Sequence, residues 1–174
     1  MKKAQRSISL IGFMGTGKTA VGRVLASSLR RNFIDTDPLI EKRVGKSISQ
    51  IFSEDGEAFF RSVEAQIVRE VCGIESSVVA LGGGAIFNPE IATLVKENSA
   101  VVLLTASVET IMSRTSSNRP RPLLNVTDDN LKQRVTMLLT ERAAAYSDAK
   151  DIEIKTDSLS VGETVSEIIR RLEL

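Results

Sequence analysis

At 174 residues the chain is long enough to bury one full hydrophobic core and short for two domains. Lys+Arg 23 against Asp+Glu 22 leave a formal net charge of +1, so no whole-molecule field exists to hold a nucleic acid, and any anion site has to be built locally. The absence of histidine removes imidazole acid–base chemistry, Ser-His-Asp triads and His-ligated zinc, and no window approaches the roughly 20 apolar residues of a membrane span.

The short basic start runs through a brief apolar stretch into glycines and Lys18, not into a small-residue cleavage site, so secretion is not expected. The single cysteine, Cys72, cannot form an internal disulfide, and a cytoplasmic location is expected. Within "IVREVCG" it reads as a small buried filler.

The first predicted strand, "SISLIGF" (7 to 13), leads into "GFMGTGKTA". Gly12, Gly17, Lys18 and Thr19 fit G-x-x-x-x-G-K-[ST], and the amphipathic helix "TAVGRVLASSL" follows, which is the context this phosphate-binding loop requires. Bare backbone lets N–H groups converge on phosphate oxygens, and the helix N-terminus adds partial positive charge. In this motif the lysine reaches the β- and γ-phosphates and the hydroxyl serves Mg²⁺. The motif points to a nucleoside triphosphate and is silent about the acceptor.

A short strand "NFID" (32 to 35) ends in Asp35-Thr36-Asp37. In extended chain both carboxylates face one way, one for the metal and one for the acceptor. Because Asp37 precedes Pro38, it also reads as the N-cap of the helix "PLIEKRVG". Ser47 and Gln50 form a capping box for "ISQIF", and a longer helix runs from near Glu57 to a stop at Gly73. The strand "SVVALG" (77 to 82) opens into Gly82, Gly83 and Gly84, which let backbone approach a small ligand closely. No acid stands there for a Walker B role. Asn88 before Pro89 predicts another helix start, "AVVLLTA" (100 to 106) and "DIEIKTD" (151 to 157) predict two more strands, and Ser160 with Glu163 forms a second capping box. Residues 116 to 130, "SSNRPRPLLNVTDDN", read as an exposed loop too long to be an idle connector. Five strands alternating with helices predict an α/β fold, a five-stranded parallel sheet flanked by helices on both faces, with ligands at the carboxyl ends of the strands.

Taken together, "GFMGTGKTAVG", "IDTD", "IFSEDGEAFFRSVE", "LGGGA", "RPLL" and "ERAAAY" resemble the shikimate kinase family, in order and spacing, from residue 7 to about 157. The resemblance implies a single domain, 1 to 174, of the P-loop NTPase, nucleoside monophosphate kinase-like type, with a substrate-binding segment at about 34 to 64 and a mobile lid at about 116 to 130. It implies ATP and Mg²⁺ as cofactors, and transfer of a phosphoryl group to shikimate in the pathway to chorismate and aromatic amino acids. Gly12, Gly15, Thr16, Gly17, Lys18, Thr19 and Ala20 would cradle the nucleotide, Arg114 would stack on adenine, and Thr19 and Asp35 would hold the metal. Asp37 would bind ring hydroxyls as candidate base. Arg61, oriented by Glu64, and Arg142 would take the acceptor carboxylate, beside Gly82, Gly83 and Gly84, with Phe52 and Phe60 walling the ring. Arg121 would neutralise the transferring phosphate on lid closure, with Arg119 as a competitor for that role. The bland alternatives are a surface ion pair for Arg61 and Glu64, a solvated face for Arg142, and core positions for Phe52 and Phe60. A monomer acting on a small molecule, without nucleic acid or membrane partners, is expected. The rivals are a P-loop kinase for another hydroxy acid or nucleotide, and a nucleotide-hydrolysing switch; the latter lacks an N-K-x-D signature and an evident water-activating acid.

Overall fold

In β1 (Ser7–Ile11) every residue is buried, so the sheet it joins has to be covered on both faces. The computed structural model describes residues 6–115 and 128–174. In it β1 lies between β3 (Ser77–Ala80) and β4 (Ser99–Thr105), with β2 (Asn32–Asp35) and β5 (Ile152–Lys155) outside them. All four pairings are parallel, giving the order β2-β3-β1-β4-β5.

Side chains alternate across this sheet with period two. Ile8, Leu10, Val78, Val102 and Leu104 pack under α1 (Lys18–Leu29) and α8 (Val161–Leu172), whereas Ile11, Val79, Val101 and Leu103 join the opposite core. That second core is closed by α2 (Thr36–Val44), α4 (Gly56–Cys72), α5 (Pro89–Asn98) and the end of α7 (Asp128–Ala149). A smaller cluster joins Phe13 to Ile111 of α6 (Val108–Thr115) and to Val135 and Leu138 of α7.

The helix ends follow from local chemistry. Ser47 and Ser160 each form a complete capping box, for α3 (Ile48–Gln50) and α8, and Asn88 caps α5 with Pro89 in its first turn. The capping role predicted for Asp37 is corrected: α2 starts at Thr36, and Asp35 is the N-cap, accepting from the Asp37 N–H at 3.3 Å. Proline is tolerated within a first turn, where its missing donor has no partner to lose, so the helix begins ahead of Pro38. Of the stretch predicted as loop, the last residues belong to α7; Arg119 and Arg121 lie outside the described residues.

Gly12 sits where β1 hands the chain to the phosphate loop, with φ +137°, and a Cβ built there would stand 2.2 Å from the Leu104 carbonyl oxygen. The obstacle is backbone of the neighbouring strand and cannot move aside. Gly12→Ala is therefore expected to destabilise the fold by about 3 kcal/mol or more, lowering the melting temperature by about 6–12 °C in a thermal denaturation scan; a shift under about 2 °C would contradict this packing.

Candidate active site

After Gly12 the chain turns through Gly15 and Gly17, at φ 80° and 95°, and enters α1 at Lys18. Gly17 caps that helix without any side chain, which leaves the first-turn N–H groups available to an anion. Lys18 Nζ donates to the carbonyls of Gly12 at 2.8 Å and Phe13 at 3.0 Å. Thr16 turns its hydroxyl inward, donating to the Phe13 carbonyl at 2.8 Å, so only its backbone faces the loop's interior. Thr19 Oγ1 donates to Asp35 Oδ2 at 2.7 Å. Ala20 follows, exposed on α1.

Arg114 of α6 reaches the same loop from the other side, donating to Thr156 Oγ1 at 3.0 Å, to the Thr156 carbonyl at 2.9 Å and to the Gly15 carbonyl at 3.4 Å. Thr156, buried at the end of β5, also donates to the carbonyls of Thr105 and Thr16. Sequence reasoning missed it, because a threonine closing an edge strand carries no local mark. Beside it Asp157 accepts from the Ser107 N–H and the Thr110 hydroxyl, and these bonds hold its carboxyl down at about 2.

The two carboxylates of Asp35-Thr36-Asp37 do not share one face, as the extended-chain reading expected; the chain turns helical between them. Asp35 points to Thr19, whereas Asp37 lies toward the glycine loop, its Oδ1 3.2 Å from where a Gly82 Cβ would stand. Thr36, fully buried, joins the halves: its hydroxyl accepts from the Gly82 N–H at 3.0 Å and donates to the Ala80 carbonyl at 3.3 Å.

The glycines after β3 are required by the protein's own side chains. A Cβ on Gly82 would stand 2.3 Å from Glu64 Oε1, and one on Gly84 would stand 2.4 Å from Arg61 Nη1. Arg61 and Glu64 are thus no surface pair. Arg61 Nη1 donates to Glu64 Oε2 at 2.6 Å, Glu57 binds the guanidinium's outer edge, and Glu64 is only 2 % exposed. Glu64 Oε1, pressed against Gly82, has no hydrogen-bond partner among the described residues. Burial pushes the Glu64 carboxyl above its ordinary value, the charge and hydrogen bond of Arg61 oppose this, and the Asp37 charge adds to it.

Arg142 of α7 is buried, its guanidinium 5.2 Å from the Phe13 ring centroid and 5.1 Å from that of Phe87. Among the described residues it has no carboxylate within ion-pair distance, so the solvated-face alternative fails. One turn on, Tyr146 donates its hydroxyl to the Gly83 carbonyl at 2.5 Å, and burial raises its phenol to about 12, opposed by Arg142. Arg61, Glu64, Gly84, Phe87 and Arg142 line one cavity of about 620 Å³. Phe60 belongs to the core and Phe52 packs on it, ring centroids 4.8 Å apart. Cys72 is inert, its thiol pushed up to about 11 by burial.

A carboxyl raised by folding contributes stability in its neutral form, present below the unfolded value and lost as pH rises through the folded one. Wild type should therefore lose melting temperature relative to Glu64→Gln as pH rises from about 4 to about 7, from the ordinary 4.5 upward. A parallel pair of pH–melting curves would contradict the burial of this group.

A family model described as shikimate kinase matches residues 14–173. A shikimate kinase of Pelotomaculum thermopropionicum is 47% identical over 168 residues, covering 97% of this chain and 96% of that protein, and one of Geobacter sulfurreducens is 45% identical over 163 residues, covering 94% and 88%. Among solved structures, a shikimate kinase from Acinetobacter baumannii in complex with shikimate matches with TM-score 0.92 at 35% identity, over 97% of this chain and 93% of that one. A deoxyadenosine kinase from M. mycoides shares the fold alone, with TM-score 0.61 at 14% identity over 97% and 100% of the two chains. This chain, with its phosphate loop, its glycine turn, its half-buried Arg61 and its buried Arg142, belongs to the shikimate kinase family.

Proposed function

We infer that this cleft transfers the γ-phosphoryl group of ATP to a hydroxyl of shikimate, giving shikimate 3-phosphate and ADP. The observation that carries the acceptor's identity is the pair of guanidinium groups, Arg61 and Arg142, facing one cavity beside a glycine loop that also touches the phosphate loop. Two planar cations suit a carboxylate, which accepts parallel N–H bonds, and the hydroxyls of a ring bearing that carboxylate are assigned to Asp37, which lies beside Gly82 of the same glycine turn.

Phosphoryl transfer through a loose transition state asks for positioning and charge neutralisation more than for a strong base. The first-turn N–H groups of α1 and Lys18 are assigned to the phosphates, and Arg114 to the nucleotide side of the loop. Asp37 orients the acceptor hydroxyl and receives its proton as the bond to phosphorus forms. By the family resemblance Arg121 is assigned to the transferring phosphate. Thr19 and Asp35, a hydroxyl and a carboxylate in mutual contact, fit Mg²⁺, a hard cation that takes one or two protein oxygens and completes its shell with phosphates and water; among the described residues no cluster of three acidic, Cys or His ligands exists to hold a metal alone. Bound there, the ion would neutralise phosphate charge.

Asp37→Asn should lower kcat by about 100-fold or more while the Kd for ADP stays within about two-fold, measured by coupled assay and calorimetry; equal loss of both would make Asp37 structural. Arg142→Ala should raise KM for shikimate by about 10–100-fold and leave KM for ATP nearly unchanged. Gly84→Ala would displace the Arg61 guanidinium from its pairing with buried Glu64, so it should raise KM for shikimate and also lower the melting temperature. Parallel ADP-release assays with shikimate, quinate, gluconate and no acceptor test the reading as a whole, and preference for another acceptor would overturn it.

A further inference from the structure

The glycine turn beside the acceptor cavity is the part of the site least able to hold its own shape. Gly83 and Gly84 follow one another, so the peptide between them has no Cβ on either side and turns more freely than one flanked by side chains. Side chains are excluded at Gly82 and Gly84, where Glu64 and Arg61 occupy the space. Rigidity has to come from hydrogen bonds.

Two of the three glycine carbonyls are held within the turn: that of Gly82 accepts from the Ala85 N–H and that of Gly84 from the Phe87 N–H, both at 3.1 Å. The Gly83 carbonyl is held from outside, by the Tyr146 hydroxyl at 2.5 Å. Tyr146 is 5% exposed, packed in the core with its ring 5.8 Å from that of Phe87, so close packing limits where its hydroxyl can reach. It lines a second cavity, of about 320 Å³, together with Phe13, Leu139 and Ser147, whereas Gly84 lines the acceptor cavity with Arg61 and Arg142. The Gly83–Gly84 peptide stands between the two. It is not cis, and in a trans peptide the C=O and the N–H point opposite ways. With its carbonyl drawn toward Tyr146, the peptide turns the Gly84 N–H away from that residue, and this N–H has no acceptor among the described residues.

We propose that Tyr146 is a positioning residue for the acceptor site: by gripping the Gly83 carbonyl it sets the Gly83–Gly84 peptide, so that the Gly84 N–H stands as a fixed donor to the acceptor beside Arg61 and Arg142. The proposal deepens the acceptor assignment made above and rests on it. A phenylalanine at position 146 would fill the same space and leave the Gly83 carbonyl without its donor, free to turn toward another. The Arg142 guanidinium stands beside the same hydroxyl, one turn back on α7, so the test has to separate a route through the peptide from a route through Arg142.

Steady-state kinetics of Tyr146→Phe, Arg142→Ala and the double variant test it, together with amide NMR spectra of the isotope-labelled protein. Tyr146→Phe should raise KM for shikimate by about 5–50-fold and leave KM for ATP within about two-fold. In the Arg142→Ala background the same substitution should lower kcat/KM for shikimate by a factor within about three-fold of its effect in wild type; if its effect disappears there, Tyr146 acts through Arg142 and the proposal is overturned. In wild type the Gly84 amide proton should move downfield when shikimate is added, as a proton entering a hydrogen bond does, and in Tyr146→Phe it should move less. A Tyr146→Phe variant that loses only melting temperature, a rise of both KM values together, or a Gly84 signal that shikimate leaves in place would each overturn the proposal, and the last needs no variant to fold. Failure of wild type to phosphorylate shikimate would overturn the acceptor assignment, and this proposal with it.

Discussion

The site depends on the adjacency of β1 and β3. Parallel neighbours end at the same edge, so the loops that leave them have to share space, and here both loops are glycine-rich. A Cβ on Gly83 would lie 3.5 Å from the Gly12 carbonyl oxygen and 3.8 Å from the Met14 nitrogen, a measure of how closely the acceptor-side turn rests on the phosphate loop. With β2 beside β3, the junction of β2 and α2 closes the third side, and the buried Thr36 hydroxyl bolts it to Gly82. The sheet order thus places these loops side by side, where the proposed phosphate donor and acceptor would meet.

Charge burial is the second constraint. Glu64 lies within the protein where an ionised carboxylate is costly, and the Arg61 guanidinium at 2.6 Å, with a smaller contribution from the Arg142 charge, offsets that cost. The arrangement is a poor device for stability, since an apolar pair of similar volume would serve the core as well. It makes sense as positioning: Glu64 and Glu57 hold Arg61 from two sides, leaving its remaining donors turned to the cavity. Arg142 is held by a different means, against the rings of Phe13 and Phe87 and beside the Tyr146 hydroxyl, with no carboxylate partner among the described residues. A carboxylate entering the cavity therefore meets one cation already partly neutralised and one that is not.

Much of this was legible locally. The phosphate loop, both capping boxes, the Asn88-Pro89 start and all five strands are marked by residues close together in sequence, where sterics and hydrogen bonding act over a few positions. The family resemblance supplied the residues proposed for the acceptor. What the chain did not disclose locally is contact between distant segments. The need for Gly82 and Gly84 reads in sequence as room for a ligand, whereas the atoms that would collide belong to Glu64 and Arg61. Thr156 shows the same limit, since its partners Arg114, Thr105 and Thr16 come from three other elements. The error at Asp35 and Asp37 had a local cause: the period-two rule was carried two residues past the end of the strand, where the helix had already begun.

The aromatic residues carry the argument one step further. A chain with 4% aromatic residues has few rings to place, and a core of Ile, Leu and Val on both sides of the sheet does not need them. Several rings also stand against a cation: Phe60 near the Arg61 guanidinium at 5.1 Å, and Phe13 and Phe87 against Arg142. An aliphatic wall would exclude water equally well but would present no negative face to a buried cation. Three of the seven rings thus stand beside Arg61 and Arg142, the cations proposed to orient an anionic acceptor.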